Sequence, residues 1–273
     1  MTAFPVNRFV ALGDSTTEGL DDPLPGGSPG AELYRGWADR LAEKLAAVNP
    51  SLEYANLAIR GRKIKQIREE QLEPAIAMQP DLVSVVGGVN DILRPKVNIE
   101  AVTSQLEAIQ RALVATGAKV LAMTLPDIGD SMYLARMVSD RMRIYNQRVR
   151  EASARTGAIV VDLEVILGEY DPRGWSPDRL HASSVGHEMI ALAAAMTLDL
   201  PGAEADLEEL KAKTPHPPEL TGSRVLAAEA AWVWTHLRPW ITRRVRGTSS
   251  GDGIEPKRPS MSPLLPLAEA AES

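Results

Sequence analysis

Between Arg8 and Leu198 the sequence alternates five times between a short apolar run and a longer segment of helical periodicity. Arg8–Leu12, Leu52–Ala58, Asp81–Val86, Lys119–Leu125 and Ala158–Leu163 read as strands. The helical segments are a run carrying Trp37, Leu41, Leu45 and Val48, then Ile64–Met78 interrupted by Pro74, Ile99–Ala115, Met132–Thr156 and Ser184–Leu198. A parallel crossover needs a dozen or more residues, which is the spacing seen here, so the strands form a parallel sheet with helices on both faces. The expectation is a flavodoxin-like three-layer α/β/α sandwich with a five-stranded parallel sheet, followed by a C-terminal helical extension.

Composition changes after Pro201, and Thr214–Pro218 (TPHPP) breaks any helix there. The chain is therefore read as an α/β domain over 1–200, a helical extension over 201–246 and a flexible tail over 247–273 that is expected to matter little. In the extension, Leu226, Ala230, Val233, Leu237 and Trp240 share one helical face, with Trp232, Trp234 and Ile241 beside it and Arg238, Arg243, Arg244 and Arg246 following. Pro239 is expected to kink or end this helix. Two uses for residues 225–246 stand open: packing on the α/β domain, or peripheral contact with a membrane surface or a partner protein.

The 273 residues contain no cysteine, which removes disulfides, thiolate nucleophiles and Cys-ligated zinc together. Four histidines are few for a histidine-rich metal site, and a net charge of −6 argues against a nucleic-acid partner. His187 and Glu188 begin like a zincin helix, but Ala191 stands where the second histidine would be, so no metal is implied. The N-terminus enters a strand-like run almost at once, which suggests a cytoplasmic protein. Chemistry must rest on Ser, His, Asp or Glu, with no cofactor implied.

Open parallel sheets bind ligands at the carboxyl ends of their strands. The first strand runs into Gly13-Asp14-Ser15-Thr16-Thr17-Glu18-Gly19, where Ser15 is a candidate nucleophile and, on the plainer reading, a helix cap. The third ends in Gly87-Gly88-Val89-Asn90-Asp91, where Asn90 offers an amide donor or simply completes a turn. Beyond the fifth, Asp178 stands three residues before His181 in a Pro-bounded loop. A serine, an Asp–His pair and an amide donor form the inventory of a nucleophile, a base with its orienting carboxylate, and an oxyanion donor. Leu93, Met132, Tyr133 and Trp175 are candidate pocket walls.

With these blocks in this order, residues 8–198 resemble the GDSL-type esterases of the SGNH hydrolase superfamily. Gly13-Asp14-Ser15 resembles the nucleophile block, Asn56–Gly61 (NLAIRG) the glycine block, Gly88–Asp91 the asparagine block and Asp178–His181 the acid–base block. Thr16 replaces the leucine usual after Gly-Asp-Ser, a variation that leaves the nucleophile untouched. The resemblance implies Ser15 as nucleophile, His181 as base and then acid, and Asp178 as the residue orienting the imidazole. It also implies an oxyanion hole from the Ser15 and Gly61 backbone N–H groups and the Asn90 side chain. The expected substrate is a small-molecule acyl ester. An acyltransferase would need the same residues, and an inactive interaction protein could retain the fold.

Overall fold

The computed structural model describes residues 6–24, 34–126, 135–168, 171–218, 221–239, 242 and 249–264. Strands β1 (Arg8–Gly13), β2 (Glu53–Asn56), β3 (Leu82–Val86), β4 (Lys119–Met123) and β5 (Ile159–Val161) pair in parallel in the order β5-β4-β3-β1-β2. The helices in chain order are α1 (Ser15–Glu18), α2 (Gly36–Val48), α3 (Ile64–Ala77), α4 (Val89–Ile92), α5 (Ile99–Ala115), α6 (Ala135–Thr156), α7 (Leu163–Ile166), α8 (Ser184–Thr197), α9 (Ala203–Lys213) and α10 (Ser223–Trp232).

Strand alternation sorts the core into two layers. Phe9 and Ala11 face the side covered by α2, α8 and α9, through Trp37, Leu41, Ile190 and Leu207. Val10 and Leu12 face the opposite side, covered by α3, α5 and α6 through Ile67, Leu106 and Val149. Helix starts are fixed locally: the Asn98 side chain accepts from the Ala101 N–H, and Ser183 accepts from Gly186. Pro74 does not break α3, which continues to Ala77.

One expectation needs correction. The sheet has a sixth strand, β6 (Arg258–Pro263), antiparallel to β2 and drawn from the segment expected to be a flexible tail. Without β6, β2 would be a bare edge, and its free N–H and C=O groups are a template for pairing. Pro259 and Pro263 are tolerated because β6 is itself an edge strand. Lys257 anchors it, its ammonium donating to the carbonyls of Tyr34 and Arg35 at 2.9 and 2.7 Å and to Asp39 at 2.9 Å.

Of the two uses open for residues 225–246, packing is not what the stripe of α10 shows: Leu226, Ala230 and Val233 are exposed rather than packed on the α/β domain, where α2, α8 and α9 already cover the sheet, and Leu226 is 73% exposed. The helix passes into a π-helical turn at Val233–Leu237 just before Pro239. A wider turn gives room to a ring that would otherwise strike a carbonyl of the preceding turn. Trp240, Ile241, Arg243, Arg244 and Arg246 lie outside the described residues. Among the described residues, no helix is long and apolar enough to cross a membrane.

Candidate active site

The strand order reverses between β1 and β3, where chain crossovers leave in opposite directions and open a crevice at the strand carboxyl ends. Ser15 follows β1 and Asn90 follows β3, one on each side of it. Ser15 opens α1, capped by the Asp14 side chain accepting from the Thr16 N–H at 3.1 Å. Gly13 is required just before it: a Cβ there would lie 2.6 Å from the Val86 carbonyl oxygen. The plainer reading of Ser15 as a cap thus fails, since Asp14 has that role.

The loop between β5 and α8 carries Asp178 and His181 to the same place. His181 Nδ1 is 2.6 Å from Asp178 Oδ2, and His181 Nε2 is 3.0 Å from Ser15 Oγ. The other carboxylate oxygen, Oδ1, accepts from the Ser176 hydroxyl at 2.6 Å and from the Leu180 and His181 N–H groups at 2.9 Å each. Burial alone would push Asp178 up, but its hydrogen bond to His181 and the imidazolium charge hold it well below the usual carboxylate range. Burial likewise opposes charge on His181, yet Asp178, with Asp21 and Asp14 beyond, raises its pKa above the ordinary histidine value. Such a chain can withdraw the serine proton as a bond forms at Oγ.

Asn90 lies beside Asp14, its amide N–H groups directed to Asp14 Oδ2 and to the Arg62 carbonyl, both at 3.1 Å. Burial raises the Asp14 carboxyl to about 6, against the opposing hydrogen bond from Thr16. Gly61 takes a positive φ of 76°, a conformation suited to glycine. It follows Arg60, whose main-chain N–H donates to Glu18 Oε2 of α1 at 2.7 Å and whose guanidinium donates to Oε1 at 2.8 and 2.5 Å.

Three side chains that steady this arrangement escaped the sequence reading. Gln71 of α3 clamps Gly13 in both directions at 2.9 Å, donating to its carbonyl and accepting from its N–H. A polar residue four positions after Ile67 on an apolar face was the available signal. Glu18 and Arg60 sit inside motif blocks, where nothing local marks them as a buried pair. His187 is fully buried, accepting from the Trp37 N–H and donating to the Leu20 carbonyl, and burial lowers its pKa to about 4. It packs in the core and ties the first turn of α2 to Leu20.

Among the described residues, Asp21, Asp178 and His181 are the group whose ligand atoms lie close enough to hold a metal ion. The Asp178–His181 hydrogen bond accounts for the proximity of two of the three, and Asp21 Oδ2 lies 3.9 Å from His181 Nδ1. A cavity of about 700 Å³ adjoins Asp178, bounded by Asp21, Tyr34, Ser176, Ser184 and His236 among others. Of the expected pocket walls, Met132 and Tyr133 lie outside the described residues.

A family model for the GDSL-like lipase/acylhydrolase family matches residues 11–189. The chain belongs to this family. It is an ester-hydrolysing enzyme, and the family match ends within α8, so α9, α10 and β6 lie beyond it. An acetylxylan esterase of Geobacillus stearothermophilus is 28% identical over 202 residues, 68% of this GDSL-like hydrolase and 91% of the relative. The crystal structure of Axe2, an acetylxylan esterase from the same organism, is 25% identical with a TM-score of 0.58, covering 72% of this chain and 96% of its own. LAE5, an alpha/beta hydrolase enzyme from the metagenome of Lake Arreo, Spain, shares the fold at 23% identity and a TM-score of 0.58, over 71% and 95%. Solved catalytic mutants of Axe2 replace a serine, an aspartate and a histidine by alanine.

Proposed function

We propose that this GDSL-like hydrolase is a serine esterase that cleaves carboxylic esters through a covalent acyl-enzyme on Ser15. The observation that carries the reading is the continuous hydrogen-bonded chain from Ser15 Oγ through His181 to Asp178, at 3.0 and 2.6 Å. A serine hydroxyl is a weak nucleophile at neutral pH, so His181 Nε2 takes its proton as Oγ attacks the carbonyl carbon. Asp178 fixes the imidazole through Nδ1 and stabilises the imidazolium. The tetrahedral oxyanion is met by the Ser15 and Gly61 backbone N–H groups and by Asn90, which shares one of its amide protons now directed to Asp14 or Arg62. His181 then protonates the leaving alcohol. Water, deprotonated by the same imidazole, releases the acid and restores Ser15.

The likeness to acetylxylan esterases favours short acyl groups, with acetyl esters of carbohydrate hydroxyls as the first class to assay. Incubation with a fluorophosphonate followed by peptide mass mapping tests the nucleophile. The expected result is a single adduct on Ser15 with loss of p-nitrophenyl acetate hydrolysis, and Ser15→Ala should be unlabelled and inactive. Wild-type turnover in Ser15→Ala would overturn the assignment.

A further inference from the structure

Beyond the residues the family model matches, the C-terminal extension and the segment that follows it return to the site at two places. Trp232 ends α10 and donates its indole N–H to the main-chain carbonyl of Asp178 at 3.1 Å. The Arg179 guanidinium lies 5.2 Å from the Trp232 ring and pairs with Glu229, one turn earlier, at 2.7 Å. Arg179 has a φ of 60°, in the left-handed region that non-glycine residues seldom enter. The two peptide units that follow this residue matter, because the N–H groups of Leu180 and His181 bind Asp178 Oδ1. None of the residues of α10 is buried, so its attachment adds little to the core. Its polar contacts fall instead on the loop that carries the acid and the base.

The second return is the turn at Ser249–Gly251. A Cβ on Gly251 would lie 2.0 Å from the Arg60 carbonyl oxygen, and one on Gly61 would lie 2.3 Å from Ser249 Oγ. This turn therefore rests directly on the Arg60–Gly61 backbone. Strand β6 continues from it and pairs with β2, the strand that runs into the same loop. The Gly61 loop is thus held at its base by β6 and at its tip by the turn.

We propose that the extension and the segment that follows it are a working part of the active site, in which Trp232 is a positioning residue for the Asp178–His181 pair and the Gly251 turn positions Gly61. The proposal rests on the serine-esterase reading. The two contacts predict different kinetic signatures. Loosening Trp232 weakens the grip of Asp178 on His181, which changes the proton affinity of the base; Asp178, Asp21 at 3.9 Å and Asp14 are the charged groups that face it. Loosening the Gly251 turn displaces an oxyanion donor and leaves the base as it was.

The test uses the full chain carrying Trp232→Ala, Trp232→Phe or Gly251→Ala. Active sites are titrated with fluorophosphonate so that only competent protein is counted, and kcat and KM for p-nitrophenyl acetate are measured across pH beside Tm. Trp232→Ala should lower kcat per titrated site about tenfold or more with KM within about twofold, and shift the acid limb to lower pH. Trp232→Phe keeps the ring but not the N–H and should fall between; it decides the matter if the alanine variant does not fold. Gly251→Ala should lower kcat with an unmoved acid limb. Wild-type kcat and an unmoved acid limb in the Trp232 variants, whatever their Tm, would overturn the proposal. The esterase reading fails by a different result, wild-type turnover in Ser15→Ala.

Discussion

Arg60 gives both its main-chain N–H and its guanidinium to one carboxylate, that of Glu18, at 2.7, 2.8 and 2.5 Å. Glu18 is the last residue of the helix that begins with Ser15, and Arg60 immediately precedes Gly61. The pair is therefore a strut between the two loops that the proposed mechanism requires to stay in register. Arg60→Met would leave the Glu18 carboxylate buried with only a backbone partner, and should destabilise the protein by about 3–5 kcal/mol. Urea unfolding measures that loss. Under conditions where the variant is folded, kcat should also be lower than that of the wild type.

Asn90→Ala should reduce kcat on the order of 10²-fold to 10³-fold, the range for one oxyanion donor, with little change in KM. Steady-state kinetics on a soluble ester separates the two constants. A change confined to KM would remove Asn90 from transition-state stabilisation.

Activity should rise with pH through the titration of His181, at a value above the ordinary histidine pKa of about 6.5, since Asp178 favours the imidazolium. The same raised pKa gives a stability contribution fully present below about pH 6.5 and lost as pH rises through the folded value. Asp178→Asn removes the charge that raises it, so the acid limb should move down while kcat falls about 10³-fold to 10⁴-fold. A pH–rate profile of both proteins checks the direction.

Asp14 titrates at about 6 in the folded protein against 3.8 for the free side chain, so folding takes up a proton between these values. Its burial therefore costs stability that grows as pH rises from about 4 to about 7, by on the order of 1–3 kcal/mol. Asp14→Asn should lack that loss. The difference in unfolding free energy between variant and wild type should shift in favour of the variant across this range, as denaturant titrations at several pH values would show.

Much of this molecule was legible in its sequence because the signals are local. Apolar runs such as Leu82–Val86 have only one economical place in an α/β chain, and Ile99–Ala115 carries its helical periodicity within its own residues. Strand carboxyl ends then point to Ser15, Asn90 and the Asp178–His181 loop without any knowledge of contacts.

What the tertiary structure decided depends on partners distant in the chain. Arg258–Pro263 has two prolines and no apolar alternation, so nothing local predicts a strand; the unpaired edge of β2, some two hundred residues earlier, makes it one. Gln71 reads as a stray polar residue until Gly13 is beside it, and Trp232 reads as one aromatic beside an apolar helix face until Asp178 offers a carbonyl. Hydrogen bonds and buried ion pairs are satisfied by whichever group the fold delivers. Sequence periodicity fixes which face a residue occupies, and only the packed chain fixes what meets it there.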